Sequence, residues 1–405
     1  MTDQGAHMTR KIRSWRHLSA AVFAASTLLA FAPGTAHAIP AWARRYNMNC
    51  TGCHFPVPPV LNADGLAFKW AGYRMPDQIG TSVEVNKIGD YLAARGILQY
   101  AWEKSSDAAA DVNQFSIPEV NLFAAGPFGK WFGAFIEVAV DDAGASTAVQ
   151  AQGSWGKEDG FWSLHIAQGH LLSEGAVAGL DRSIGVNTPL PIDVGIGSGI
   201  SFGFGDKTGM DFSRVFNKKD RLAIGVANSM PAGGGTARPR QDVFISNQYI
   251  WDAKGGGLNL LGYMGNAPGV DPDFVDVTSH FYRIAATASH YFGTFNANGG
   301  YVYGEDTDLP VGNLFTTSSV TGQSYWLGAG YTFPENYLTF YGRWEYVDPN
   351  KNVSDDALTR YVIGGVVPLM TPQYLRMNLE YFHDAPQAPG SATRQGVAIE
   401  FQATY

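Results

Sequence analysis

From about Gly89 to the C-terminus the chain alternates apolar and polar positions with a period of two, the spacing of a strand with two unlike faces. In 131–141, Phe132, Ala134, Ile136, Val138 and Val140 point one way and Gly133, Phe135, Glu137 and Ala139 the other. The pattern returns in 336–347, where Leu338, Phe340, Gly342, Trp344 and Tyr346 oppose Thr339, Tyr341, Arg343 and Glu345. It returns again in 373–384, with Leu375, Met377, Leu379 and Tyr381 against Arg376, Asn378 and Glu380. The last segment, 393–405, sets Val397, Ile399, Phe401, Ala403 and Tyr405 against Glu400, Gln402 and Thr404 and finishes on an aromatic residue.

Segments this long and this evenly two-faced predict an all-β transmembrane barrel, lipid on the apolar face and lumen on the polar one, rather than a soluble sandwich or propeller. Sixteen antiparallel strands are expected, near 89–101, 115–126, 131–141, 147–155, 161–171, 208–216, 220–229, 241–251, 256–265, 279–292, 294–304, 322–333, 336–347, 359–369, 373–384 and 393–405. A seventeenth, at 193–204, alternates weakly, and 172–207 is read instead as one long loop folding into the lumen.

Connection lengths then orient the barrel, because periplasmic turns are short and extracellular loops long. The short turns at 127–130, 156–160, 217–219, 252–255, 293, 334–335 and 370–372 fall on the periplasmic side. The connections at 102–114, 172–207, 230–240, 266–278, 305–321, 348–358 and 385–392 fall outside. Several of these carry clustered acids (Asp107 and Asp111; Asp271, Asp273 and Asp276; Glu305, Asp306 and Asp308; Asp348, Asp355 and Asp356) that would gather cations at the outer mouth or simply keep the loops solvated.

Composition sharpens this picture. Forty-eight glycines, 24 Phe, 19 Tyr and 10 Trp with 16% charged residues suit strands, tight turns and aromatic girdles. Residues 1–38 read as an export signal: Arg10, Lys11, Arg13 and Arg16 form a basic start, Ala20 to Phe31 an apolar stretch, and Ala36-His37-Ala38 a small-x-small cleavage site. The formal net charge is −8 and becomes more negative once that basic leader is removed, which argues against nucleic acid as a partner. Beyond the leader no stretch is long and apolar enough to span a bilayer as a helix. The chain therefore divides into a signal peptide at 1–38, a compact unit at 39–80 and a porin-like barrel at 81–405 bordered by outer-membrane lipid.

The compact unit holds the chain's two cysteines, in Cys50-Thr51-Gly52-Cys53-His54, which is the c-type haem attachment pattern. Two thiols three residues apart can each form a thioether to a haem vinyl group, and the next imidazole, His54, can reach the iron as proximal ligand. A redox or disulfide pair and a zinc site compete for the same residues, but zinc calls for further ligands and a thioredoxin-like pair for a βαβ setting. Ala63 to Gly72 is predicted as one short helix, and forty residues cannot bury a haem alone, so this unit should lean on the barrel. Met75, which follows Gly72-Tyr73 and precedes Pro76, is the leading candidate for distal ligand. His165, on the inward face of its strand with Ser163 and Ala167, is the runner-up. A His/Met pair would raise the reduction potential.

The segment Ile39-Pro40-Ala41-Trp42-Ala43-Arg44-Arg45, the Cys-x-x-Cys-His motif, Leu61-Asn62-Ala63 and Gly72-Tyr73 together resemble the fused outer-membrane monohaem cytochrome c–porin family. The likeness is specific over 39–76 and architectural beyond, and Asp64 and Leu66 stand where the family usually carries an aromatic and a basic residue. The resemblance implies one covalent haem c in the barrel lumen. It also implies an Fe(II):cytochrome c oxidoreductase activity, with extracellular Fe(II) as electron donor and a periplasmic c-type cytochrome as acceptor. A diffusion porin with a haem-bearing gate, or a conduit running outward to external acceptors, would use the same parts.

Overall fold

The computed structural model describes residues 41–405 apart from 56–59, 108–110, 142–143, 170, 173–183, 188, 194–206, 229–240, 269–277, 312–313, 336 and 371–373. The export signal at 1–38 and the acids at 271–276 lie outside the described residues.

Sixteen strands follow: β1 (Leu92–Ser105), β2 (Val112–Phe128), β3 (Phe132–Asp141), β4 (Gly144–Lys157), β5 (Gly160–Gln168), β6 (Thr208–Phe216), β7 (Asp220–Asn228) and β8 (Gln241–Ile250). The second half is β9 (Gly257–Pro268), β10 (Thr278–Phe292), β11 (Phe295–Val311), β12 (Leu314–Thr332), β13 (Thr339–Asp348), β14 (Leu358–Pro368), β15 (Leu375–Pro386) and β16 (Arg394–Thr404). Each pairs antiparallel with its neighbours in sequence, and β1 pairs with β16 from Arg95↔Thr404 to Ser105↔Arg394, which closes the barrel and leaves no sheet edge.

Side chains sort as the alternation predicts. Ile136, Ile224, Ile284, Leu327, Phe340 and Ile363 point outward and are exposed, a surface that suits hydrocarbon and not water. Trp131, Trp155, Trp162, Phe216, Trp251, Phe292 and Phe333 gather at the short-turn end of that surface, while Tyr282, Tyr303, Tyr325 and Tyr346 gather toward the other end. These are the two aromatic girdles of a spanning barrel.

The inner wall is charged and internally paired. Arg360 donates to both oxygens of Asp384, Nε at 2.6 Å and a terminal nitrogen at 3.0 Å. Arg343 pairs with Glu345, Arg221 with Asp211, Arg283 with Asp306, and Arg95 with Glu119. Pairing matters because all of these side chains but Arg95 and Glu119 are removed from bulk water, and an unpartnered charge buried there would be costly.

The strands run further than the polarity pattern indicates at several ends, as in β1, β2 and β4, and furthest at one place. Residues 305–321, expected as a loop, are largely ladder: β11 continues to Val311 and β12 begins at Leu314. Backbone pairing does not stop where the apolar belt stops, so amphipathicity marks the membrane thickness and not the strand end.

The expected long loop does enter the barrel where it is described. Leu171 and Leu172 are fully buried against inward-facing Phe244, Leu261, Phe281, Val302 and Trp326. The Glu380 carboxylate accepts the backbone N–H groups of Val186 and Asn187, each at 2.9 Å, and Glu345 accepts that of Leu190 at 2.6 Å. A short helix at Leu190–Asp193 sits against β12 and β13.

Candidate functional site

Among the described residues two α-helices precede the barrel, α1 (Ala41–Tyr46) and α2 (Ala63–Trp70), with the Cys-x-x-Cys-His motif between them. Cys50–Gly52 forms one 3-10 turn, closed by Cys53 N–H and His54 N–H, which both donate to the Cys50 carbonyl at 3.1 and 2.9 Å. The turn brings both thiols and the imidazole onto a few ångströms of chain, and the cysteines are free rather than disulfide-bonded. His54 lies opposite Leu61 in a β-bridge, and its Nδ1 is 3.1 Å from the Val60 carbonyl. With Nδ1–H donating to that carbonyl, the ring is fixed in the tautomer whose Nε2 lone pair can bind a metal, the usual outer-shell arrangement of a ligand histidine.

Asn62 joins the turn to α2. Its Oδ1 accepts the Gly65 N–H at 2.9 Å as the helix N-cap, and its Nδ2 donates to the carbonyls of Thr51 and Gly52 at 3.2 and 3.1 Å. Gly65 is needed because a Cβ there would come within 2.1 Å of the Cys53 carbonyl. The pattern Leu61-Asn62-Ala63-Asp64-Gly65 thus has a mechanical meaning: it clamps a helix onto the cysteine turn. Asn62→Ala should cost about 1 kcal/mol for the cap, and the loss of its two donors adds to this. Asn62→Asp, which keeps the cap and loses the donors, should fall between. Melting of the segment followed by near-ultraviolet circular dichroism reads both.

Burial raises the Cys50 thiol, and burial, Asp64 and Cys50 together push Cys53 up to about 11. Redox-active cysteines move the other way, toward the thiolate. The pair therefore lacks the electrostatics of a dithiol oxidoreductase.

The unit is seated on the inner wall at the short-turn end. Trp70 and Ala71 are buried with Phe161, Val215 and Ile250, and the Trp70 carbonyl accepts from Gln152 Nε2 at 2.5 Å and Ser163 Oγ at 3.3 Å. After α2 the chain reverses through Gly72 (φ 77°) and Tyr73 (φ 59°). The left-handed pair lets Arg74, fully buried, donate to the carbonyls of Lys130 and Phe132 at 2.6 and 2.5 Å. Tyr73 stacks between Trp42 and Phe135, at 5.2 and 5.8 Å, and its hydroxyl donates to Gln150 Oε1 at 2.7 Å. Close approach is allowed by Gly133 on β3, where a Cβ would lie 1.9 Å from the Gly72 carbonyl oxygen.

The two distal-ligand candidates occupy different settings. Met75 caps the 3-10 turn Pro76–Gln78, beside the Tyr46 hydroxyl that donates to Gln78 Oε1 at 2.9 Å. His165 faces inward as expected, but its Nδ1 is 3.0 Å from Asp211 Oδ2 and its Nε2 3.1 Å from Gln150 Oε1, so both ring nitrogens are engaged in the wall. The methionine packed on the cysteine turn is Met48, whose Cε would be 2.9 Å from a Cβ at Gly52. Sequence spacing passes over Met48 because it sits two positions before Cys50, too near to be read as a separate contact.

No known family pattern matches the sequence, and no curated protein matches it. Solved structures do match. The anion-selective porin from Comamonas acidovorans aligns with a TM-score of 0.55 at 12% identity, over 78% of this chain and 98% of its own. A loop-deletion mutant of OmpT, an outer membrane protein of Vibrio cholerae, gives 0.55 and 12% over 77% and 98%. The outer membrane channel DcaP of Acinetobacter baumannii gives 0.53 and 12% over 78% and 96%. At such identities the likeness is one of fold, and the fold is that of a porin.

Proposed function

We propose that the chain is a single-haem electron conduit of the outer membrane, a fused cytochrome c–porin, with Cys50 and Cys53 as the thioether residues and His54 as the proximal ligand. The observation that carries this is the geometry of one turn: two free thiols and an imidazole whose Nδ1 is backed by the Val60 carbonyl, in a unit held against the inner wall. Bound there, a haem would supply one-electron chemistry, with an external donor such as Fe(II) losing one electron to become Fe(III) and a soluble periplasmic cytochrome gaining it.

The chain's own residues do the holding. Asn62 and Gly65 fix the cysteine turn on α2, and Trp70, Tyr73 and Arg74 fix α2 on the wall. Short turns at that end make it the periplasmic face, where an exported cytochrome would dock. Met75 remains the candidate distal ligand. Acids at the far end, among them Asp348 and Asp356, would concentrate a cationic donor at the outer mouth.

A second reading, a diffusion porin whose N-terminal unit is a gate, is favoured by the likeness to porin structures. One experiment separates the two. Purified protein in liposomes loaded with reduced cytochrome should, as a conduit, pass electrons to an external acceptor without leaking small solutes. As a porin it should leak solutes and leave the trapped cytochrome reduced. The visible spectrum and redox titration of the same preparation test haem attachment directly: absence of a covalent haem band overturns the conduit.

A further inference from the structure

Between α2 and the inner wall lies a cavity of about 160 Å³. Its near side begins with the residues that fix His54: Val60, whose carbonyl is 3.1 Å from His54 Nδ1, and Leu61, which bridges His54. Leu66, Lys69 and Trp70, spaced by three and four positions on one face of α2, continue that side. Ile184 and Pro189 of the inner loop also line it.

The far side is bare where β12 crosses it. Ser324, Trp326 and Thr332 are buried while Leu327 and Tyr331 face out, so the alternation puts Gly328 and Gly330 on the inner face, and both line the cavity. Neither glycine has a positive φ. A Cβ at Gly330 would come no nearer than 3.2 Å to any atom, and one at Gly328 would meet the end of the Asn298 side chain. Backbone conformation and wall packing therefore ask little of these positions. What the glycines provide is clearance in front of β12.

Charge and size narrow what that clearance suits. Among the described lining residues Lys69 and Arg343 are charged, and no carboxylate is among them. Arg343 is engaged with Glu345 and with the carbonyls of Ile184 and Asn187. Lys69 is the cation that the N-terminal unit itself carries to the cavity, beside the apolar surface of Leu66 and Trp326. A flat apolar edge ending in a carboxylate matches this lining. The volume is near the roughly 150 Å³ of a cavity that takes one benzene ring, so it admits one corner of a macrocycle and not the whole. A haem tethered at Cys50 and Cys53 would be held in this neighbourhood at high effective concentration, which favours its own propionate over a free carboxylate.

We infer that this cavity receives a propionate-bearing corner of the haem, with Lys69 as the partner of the carboxylate and Gly328 and Gly330 as the clearance for the ring edge. The inference rests on the conduit reading and extends it to residues outside the cysteine motif.

The test uses the full-length holoprotein in detergent, with redox titration, circular dichroism in the Soret band and trypsin resistance as readouts. Lys69→Gln removes the charge and should leave the amount of covalent haem unchanged. A nearby cation disfavours the oxidised haem, which carries one more positive charge, so its loss should lower the midpoint potential. At a fixed potential the ratio of reduced to oxidised haem should then fall several-fold, and Lys69→Arg should restore it. Gly330→Phe puts a ring in the cavity and should change the Soret dichroism. It should keep wild-type trypsin resistance, because α2 is seated on Phe161, Val215 and Ile250. Sodium propionate added to the wild type should leave both signals unchanged. The inference is overturned if Lys69→Gln titrates as wild type, if Gly330→Phe lowers bilayer conductance with wild-type dichroism, the cavity then being a solute path, or if added propionate binds in a Lys69-dependent way. Wild type without covalent haem overturns the conduit as well, whereas wild-type haem with unaltered variants overturns this inference alone.

Discussion

Gly133→Leu should detach the N-terminal unit from the barrel and raise the conductance of the lumen. The glycine faces inward on β3, and its Cα hydrogen points at the Gly72 carbonyl; a Cβ would fall 1.9 Å from that oxygen and 2.8 Å from its carbon. Neither atom belongs to a flexible side chain, so the reversal at 72–74 must move. Its movement breaks the Arg74 clamp on Lys130 and Phe132, the Tyr73 bond to Gln150 and the bonds to the Trp70 carbonyl. Bonds from a charged donor contribute about 1.5–3 kcal/mol and neutral ones about 1, so their combined loss is several kcal/mol. Arg74 would also be buried without partners if it stayed.

The barrel itself has no reason to fail. Leucine is an ordinary strand residue, and β3 keeps its ladders with β2 and β4. Heat-modifiable electrophoretic migration should therefore match wild type, while trypsin cuts at Arg44, Arg45, Lys69 and Arg74 and conductance across a planar bilayer rises sharply. A variant that keeps wild-type trypsin resistance and conductance would show that the unit is not seated through this contact. Gly133→Ala should give the same result in weaker form.

What the sequence discloses and what it hides follow from the range of the forces. Strand positions could be read because lipid acts on every outward residue alike: Phe132, Ile136, Phe340 and Ile363 announce their face one by one. The strand ends near 305–321 could not, because hydrogen bonding there continues with no change of solvent to mark it. Within the N-terminal unit, the cysteine motif was legible because its spacing is local, and the helix expected over 63–72 because Gly72 ends it; the observed helix stops at Trp70, two residues earlier. Its seat was not. Gln152 reaches Trp70 across 82 positions and Ser163 across 93, and nothing local to either residue reports the other. His165 shows the limit plainly: its inward face was readable, but its partners Asp211 and Gln150 lie on neighbouring strands, and they make it part of the wall.

For a chain that works as the proposed conduit, replacing both cysteines, Cys50→Ser with Cys53→Ser, should abolish electron transfer while leaving the barrel and its seated unit intact. Serine is nearly the size of cysteine, the thiols form no disulfide, and the contacts that hold the turn run through the backbone and Asn62. The variant should therefore keep wild-type heat modifiability and trypsin resistance, show no covalently attached haem in a denaturing gel, and oxidise liposome-trapped cytochrome no faster than vesicles without protein. His54→Ala makes the complementary cut. It keeps both cysteines but removes the imidazole and its bond to Val60, so haem attachment should fall, and what haem does attach should show an altered spectrum and a shifted midpoint potential. Transfer that persists in the double-serine variant would place the electron path, or the function, elsewhere in the barrel. Conductance that rises in it, with trypsin resistance retained, would instead favour the porin reading, because the cysteine turn would then be closing a pore that the seated helix alone leaves open.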